Sequence, residues 1–247
     1  MAEFFDTSSD RRIAFHRTKG KGPGVVFLGG FMSDMEGSKA THLEDWAKRQ
    51  GRAFLRFDYS GHGQSSEAFA EGSIGDWFAD AREVIEQLTD GPQVLVGSSM
   101  GGWISLLCAK SIPDRIAGMV TIAAAPDFTE NGFFAGFSAA EKAQLETEGV
   151  VLVPSDYGEP YPITKRLIED GRDHLVMNDP LSFDFPIRML QGTKDSAVTR
   201  ATALGLLDHL DATDVRLSFV AGGDHSLSTP DNLRMIVQAI EDVLTRV

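Results

Sequence analysis

Residues 94–103 read Val-Leu-Val-Gly-Ser-Ser-Met-Gly-Gly-Trp, a short apolar run that breaks into Gly-x-Ser-x-Gly and then continues as a helix-forming stretch. A serine held in a sharp turn between a strand and a helix presents its hydroxyl clear of the sheet edge. Glycines on either side, here Gly97 and Gly101, let neighbouring backbone pass without a Cβ in the way. Ser99 is therefore the candidate nucleophile. As a bare pattern the motif arises by chance in roughly one chain of this length in ten, so its weight comes from the residues downstream.

A serine hydroxyl attacks a carbonyl only when a base takes its proton, and the base needs a partner that fixes its tautomer and supports its charge. Of the six histidines, His225 follows the apolar run 215–220, lies in Ala-Gly-Gly-Asp-His-Ser, and precedes the last helical stretch. A loop at a strand's carboxyl end is where an open α/β sheet carries its reactive residues. Asp195 follows the run 187–191 through Gly192-Thr193-Lys194, and the order Ser99, Asp195, His225 is the nucleophile–acid–base order expected of α/β-hydrolases. Asp127, in Ala-Ala-Pro-Asp after the run 118–122, could supply the acid instead. Asp224 reads as a turn former.

Acyl transfer also needs donors for the oxyanion of the tetrahedral intermediate. The N–H of Met100, next after the serine, is one candidate; the other is the N–H of Phe31, in the loop Gly29-Gly30-Phe31-Met32-Ser33. A further loop, Asp58-Tyr59-Ser60-Gly61-His62-Gly63-Gln64-Ser65, predicts a tight hydrogen-bonded turn in which His62 is structural. His16, His42, His174 and His209 show no ligand spacing, so neither a metal nor a cofactor is expected.

These positions require a scaffold of alternating strands and helices. Strands are predicted at 13–16, 25–28, 53–58, 94–97, 118–122, 187–191 and 215–220, and helices at 39–49, 76–88, 100–111, 201–209 and 232–245. The middle strands are apolar throughout, as strands buried on both faces should be. Such alternation implies a mostly parallel sheet flanked by helices. About 60 residues separate the strands ending near 122 and beginning near 187, far more than a crossover requires. They include Phe133, Phe134 and Phe137, a helical patch at 139–146, an extended stretch at 150–154, and Tyr157 and Tyr161. The expected organisation is a core formed by 1–125 and 187–247 with a small cap inserted at 126–186, whose aromatic residues Phe133, Phe134, Phe137 and Tyr157 are candidates to line a substrate pocket.

Length and charge agree with this reading. A chain of 247 residues with 23 Lys+Arg against 36 Asp+Glu, formally −13, buries a sizeable core and repels nucleic acid and anionic lipid. The single Cys108 excludes an intrachain disulfide and suits a reducing compartment, with packing in a helix as its expected role. No apolar run approaches the roughly 20 residues that span a bilayer, and the amino terminus carries no basic segment followed by an apolar stretch, so a cytoplasmic chain is expected.

Together these residues resemble the α/β-hydrolase superfamily over essentially the whole chain. Within it, Gly30-Phe31-Met32-Ser33-Asp34-Met35-Glu36-Gly37-Ser38-Lys39-Ala40, Phe57-Asp58-Tyr59-Ser60-Gly61-His62-Gly63 and Gly97-Ser98-Ser99-Met100-Gly101-Gly102-Trp103 are similar to one branch. That branch holds the mitochondrial palmitoyl-protein thioesterase that also cleaves acyl glucuronides, with its bacterial relatives. Val153-Pro154-Ser155-Asp156-Tyr157 and Pro186-Ile187-Arg188 are similar as well. The resemblance implies a cofactor-free serine hydrolase of esters or thioesters, S-acylated proteins among them, with Ser99, Asp195 and His225 as its triad. Lacking a presequence, it would be a bacterial cytoplasmic enzyme. The chain departs from the branch at Gly29-Gly30, where His-Gly is frequent, at Gln191, where histidine is common, and at Thr199, where proline often stands. The alternatives are a C–C bond hydrolase or cofactor-free perhydrolase on the same fold, and a hydrolase fold retained only for binding.

Overall fold

The apolar runs pair into one eight-stranded sheet, seen in a computed structural model that describes residues 1–155 and 158–247. In chain order the strands are β1 (Glu3–Asp6), β2 (Arg12–Thr18), β3 (Lys21–Leu28), β4 (Arg52–Phe57), β5 (Gln93–Ser98) and β6 (Ile116–Ile122). After them come β7 (Val150–Ser155), β8 (Gly158–Thr164), β9 (Leu181–Ser182), β10 (Ile187–Gly192), β11 (Leu210–Asp211) and β12 (Val215–Val220). The helices are α1 (Ser38–Gln50), α2 (Ile74–Leu88), α3 (Met100–Ser111), α4 (Ala139–Glu148), α5 (Lys165–Asp173), α6 (Arg200–His209) and α7 (Pro230–Leu244).

The main sheet runs β1-β2-β4-β3-β5-β6-β10-β12. Only β2 breaks the parallel direction, lying antiparallel to both β1 and β4. Successive side chains of a strand point to opposite faces, and β3 shows what that does here. Val26 and Leu28 enter a core with Trp77 of α2 and Trp103 of α3, whereas Val25 and Phe27 enter another with Trp46 of α1 and Ile236 of α7. Both faces are thus covered, so β5 and β6 are buried at nearly every position and mostly apolar. The structure is the α/β-hydrolase arrangement: a mostly parallel sheet flanked by helices.

The seven main strands predicted from periodicity are all present, within a few residues of their expected ends. Strand β1 was not foreseen, because a four-residue edge strand with three exposed positions carries no burial pattern. Helix α5 was also missed. Its sequence is mostly charged, and only Leu167, Ile168 and Gly171 are buried, so tertiary packing rather than its own composition makes it a helix. It starts where the Thr164 hydroxyl accepts the Leu167 N–H at 3.1 Å.

Between β6 and β10 the chain leaves the sheet, forms a π-type turn at Thr129–Phe134, α4, the antiparallel β7–β8 hairpin, α5 and β9, and returns. Asp127 ties this excursion together. It sits at φ 55°, is 1% exposed, and accepts the N–H groups of Val176 and Met177 at 2.8 and 3.0 Å. Burial raises its carboxyl above the usual range, against those two hydrogen bonds. Replacing Asp127 with Ala strands both N–H groups and should destabilise the fold by about 2–5 kcal/mol, read from urea unfolding. Asp127→Asn keeps an acceptor and tolerates a positive φ, so its loss should be clearly smaller. Equal losses would mean that the two hydrogen bonds contribute little.

Candidate active site

Ser99 lies between β5 and α3 with φ 53° and ψ −115°. This conformation is rare for a residue with a side chain, and the surroundings impose it. The Ser99 N–H donates to the Ile122 carbonyl at 2.9 Å, and its own carbonyl accepts from Gly102 and Ala125 at 2.9 and 3.1 Å. The flanking glycines are there because the chain passes too close for anything else. A Cβ on Gly97 would lie 2.3 Å from the Gly101 carbonyl oxygen, and one on Gly101 would lie 2.1 Å from that of Leu28.

His225 and Asp195 come to Ser99 on the loops after β12 and β10. The Ser99 hydroxyl is 3.1 Å from His225 Nε2, and His225 Nδ1 is 2.9 Å from Asp195 Oδ2. An aspartate oxygen can only accept here, so Nδ1 carries the proton and Nε2 is free to take one from Ser99. The Asp195 side chain is fully buried. Burial pushes its carboxyl up, but hydrogen bonds from His225, Val198 and Gln191 outweigh this and hold it below the usual range. Its Oδ1 accepts the Ala197 and Val198 N–H groups at 2.9 and 2.8 Å. Asp127, the other candidate acid, is committed to Val176 and Met177. Asp224 caps its own turn by accepting the Leu227 N–H at 2.9 Å.

The loop after β3 runs beside Ser99: a Cβ on Gly30 would sit 3.4 Å from the Ser99 Cβ. Its shape is fixed by neighbours. The Ser33 hydroxyl donates to the Gly30 carbonyl at 2.8 Å, the Met32 N–H donates to His62 Nε2 at 3.3 Å, and the Met35 N–H donates to Asp58 Oδ1 at 2.6 Å. With Met32 and Ser33 so engaged, the N–H of Phe31 has no partner among the described residues, and neither has that of Met100 at the start of α3. Both expected oxyanion donors are therefore free. His62 gives Nδ1–H to the Ser60 carbonyl at 3.1 Å and receives Met32 on Nε2, so the neutral ring holds the loop.

The Phe31 ring is a hub. Its centroid lies 4.9 Å from Phe69, 5.9 Å from Trp77, 5.4 Å from Phe128, 5.8 Å from Phe133 and 5.5 Å from Tyr161. Of the phenylalanines expected to line a pocket, Phe133 belongs to this group. Phe134 and Phe137 pair with each other at 6.5 Å, and Phe134 packs against Lys142 and Arg172. Tyr157 lies outside the described residues. Sequence reasoning missed Phe69, Phe128 and Trp77, because their roles depend on a ring brought to them from a distant loop. Among the described residues no group of His, Cys, Asp and Glu is placed to hold a metal ion, and no helix is long and apolar enough to cross a membrane. Cys108 is buried, and burial raises its thiol out of reach of ionisation.

Residues 24–151 match the family described as serine aminopeptidase, S33. The mitochondrial palmitoyl-protein thioesterase ABHD10 of Bos taurus is 34% identical over 239 residues, which span 95% of this chain and 77% of that protein. Among solved structures, a putative hydrolase from Agrobacterium vitis superposes with a TM-score of 0.93 at 38% identity, covering 98% of this chain and 97% of that one. The mouse α/β hydrolase domain-containing protein 10 gives a TM-score of 0.91 at 31% identity, covering 99% and 98%.

Burial lowers His62 from 6.5 to about 4, against the hydrogen bond to Ser60, which raises it. Between those two values the unfolded chain binds a proton that the folded chain refuses, so stability is full above pH 6.5 and falls as pH drops toward 4. A shift of this size is worth about 3 kcal/mol. Urea midpoints measured across that window should therefore fall for the native protein and fall less for His62→Gln, whose amide keeps an acceptor but does not titrate. Parallel curves for the two proteins would contradict this.

Proposed function

The chain belongs to the α/β-hydrolase family, on the branch that holds the mitochondrial palmitoyl-protein thioesterases, and on that premise we propose that it is a serine hydrolase that cleaves carboxylic esters or thioesters through an acyl-enzyme. The observation that carries the reading is the unbroken hydrogen-bonded path from Ser99 Oγ through His225 to Asp195 Oδ2, starting on a strained elbow near two backbone N–H groups that have no partner among the described residues.

The steps follow from that path. His225 Nε2 takes the Ser99 proton as Oγ attacks the acyl carbon, and the carbonyl π electrons move to oxygen. The N–H groups of Phe31 and Met100 stabilise that oxyanion, a contribution typically worth about 10²–10³ in rate per donor. Asp195, ionised and buried, supports the imidazolium. As the carbonyl re-forms, the bond to the leaving alcohol or thiol breaks and His225 gives it the proton. Water, deprotonated by the same imidazole, then attacks the acyl-enzyme; Ser99 leaves with the proton and the acid is released.

Segment 126–186 serves as a cap on this reading. What supports it is that Phe128, Phe133 and Tyr161, all from that segment, pack on the ring of Phe31, whose backbone supplies an oxyanion donor. Phe133 then offers an apolar wall for the acyl group. The substrate class is an acyl ester or thioester, and an S-acylated cysteine of a protein falls within it.

Hydrolysis of p-nitrophenyl esters from C2 to C16 and of an S-acyl thioester tests this directly. Ser99→Ala should lower kcat by at least about 10³-fold with the circular dichroism spectrum unchanged. The chain-length optimum reports the depth of the acyl site. Turnover that survives in Ser99→Ala, or none on any ester or thioester, would overturn the reading. Release from aminoacyl p-nitroanilides alone would replace it with an aminopeptidase.

A further inference from the structure

Gln191 is the penultimate residue of β10 and is 1% exposed. Its side-chain nitrogen lies 2.9 Å from Asp195 Oδ2, 3.0 Å from the Val198 carbonyl and 3.3 Å from the Gly192 carbonyl. All three neighbours are acceptors, so the amide nitrogen, not its oxygen, must face them. Asp195 Oδ2 therefore receives two donors, Gln191 from the strand and His225 Nδ1–H, while Oδ1 receives two backbone N–H groups from its own loop.

We propose that Gln191 is a positioning residue that sets both the aim and the basicity of the His225–Asp195 couple, by donating to the same carboxylate oxygen that holds the imidazole. The proposal rests on the reading of Ser99, His225 and Asp195 given above. Two physical consequences follow from a shared acceptor. The bond to Gln191 fixes where Oδ2 points, because its partner is anchored in a buried strand and not on a mobile loop. It also withdraws part of the charge that Oδ2 would otherwise present to the imidazolium, which makes His225 less basic than an unshared carboxylate would. A carboxamide neither gains nor loses a proton in the working range, so this restraint is constant with pH. A histidine in its place would carry a charge that changes across that range.

Other charged groups surround His225 and must be held constant in any test. Asp224 precedes it on the same loop. From α1, Lys39 donates to the Ser226 carbonyl at 2.6 Å, its ammonium pushed down by burial and up by Asp224. Neither is altered by a change at Gln191, so a moved pH profile reports Gln191 itself.

The experiment is the pH dependence of kcat/KM for p-nitrophenyl acetate hydrolysis by the native protein, Gln191→Leu and His225→Ala. Gln191→Leu keeps similar volume and removes both donors. Its kcat should fall about 10- to 100-fold with KM nearly unchanged, because the geometry lost is that of the transition state. The acid limb of the profile should move up by roughly half a unit to one unit, because Oδ2 now faces the imidazolium alone. If Gln191→Leu does not fold, Gln191→Met serves instead: its flexible thioether fills similar space, has no hydrogen to donate, and moves the limb the same way. A fall in kcat with the limb unmoved would reduce Gln191 to a packing residue, and a native profile would remove it from the site altogether. Full activity in His225→Ala would instead overturn the reading of the site, whatever Gln191 does.

Discussion

Ser99 holds a backbone conformation, φ 53° and ψ −115°, of a kind that costs a residue with a side chain roughly 1–3 kcal/mol. Three backbone hydrogen bonds to β6, the residues after it and the first turn of α3 hold it there. Two flanking glycines allow α3 to begin almost in contact with the end of β3. Much of the site depends on this one distortion. It lifts the hydroxyl off the sheet, and it leaves the Met100 N–H as the first orphan donor of a helix. It also brings the loop after β3 against the serine. A relaxed turn at 99 would lose the proposed nucleophile and one proposed oxyanion donor together.

The remaining groups hang from loops at the carboxyl ends of neighbouring strands, and buried polar side chains set each loop. Asp58 and His62, after β4, grip the loop that carries Phe31. Gln191 and two backbone N–H groups grip Asp195 after β10. Lys39 reaches from α1 to the loop that carries His225. A buried polar group without its partner is costly, so these contacts permit few alternative loop positions. That rigidity is what transition-state geometry requires, since a misplacement of about an ångström is enough to lose most of a rate enhancement.

Phe31 joins this rigid half to the segment between β6 and β10. It follows Gly30, which lies against Ser99, and its ring is wedged among Phe69 and Trp77 of the core and Phe128, Phe133 and Tyr161 of the inserted segment. Aromatic pairs of this kind contribute about 0.5–1.5 kcal/mol each beyond simple burial. Any displacement of the inserted segment is therefore felt at Phe31, the residue proposed to supply an oxyanion donor. An acyl group bound among those rings would press on the same residue.

The sequence determined the sheet and the chain positions of the residues proposed to be reactive. Strands buried on both faces must be apolar throughout, amphipathic helices must repeat every three to four residues, and a strand–serine–helix turn needs glycine on both sides. These are local constraints, so Gly97, Ser99 and Gly101 were legible, as were Asp195 and His225 after their strands. Three things were decided only by the tertiary structure. The mostly charged α5 is helical because Leu167 and Ile168 find a core to enter. Asp127 and Asp195 look alike in sequence, each in a turn after a strand, yet one binds Val176 and Met177 and the other binds His225. Gln191 reads as a mere departure from a family pattern until the fold sets its amide against Asp195 Oδ2. The first depends on an apolar core built from other elements, and the other two on which polar group arrives within about 3 Å to hydrogen-bond; local periodicity encodes neither.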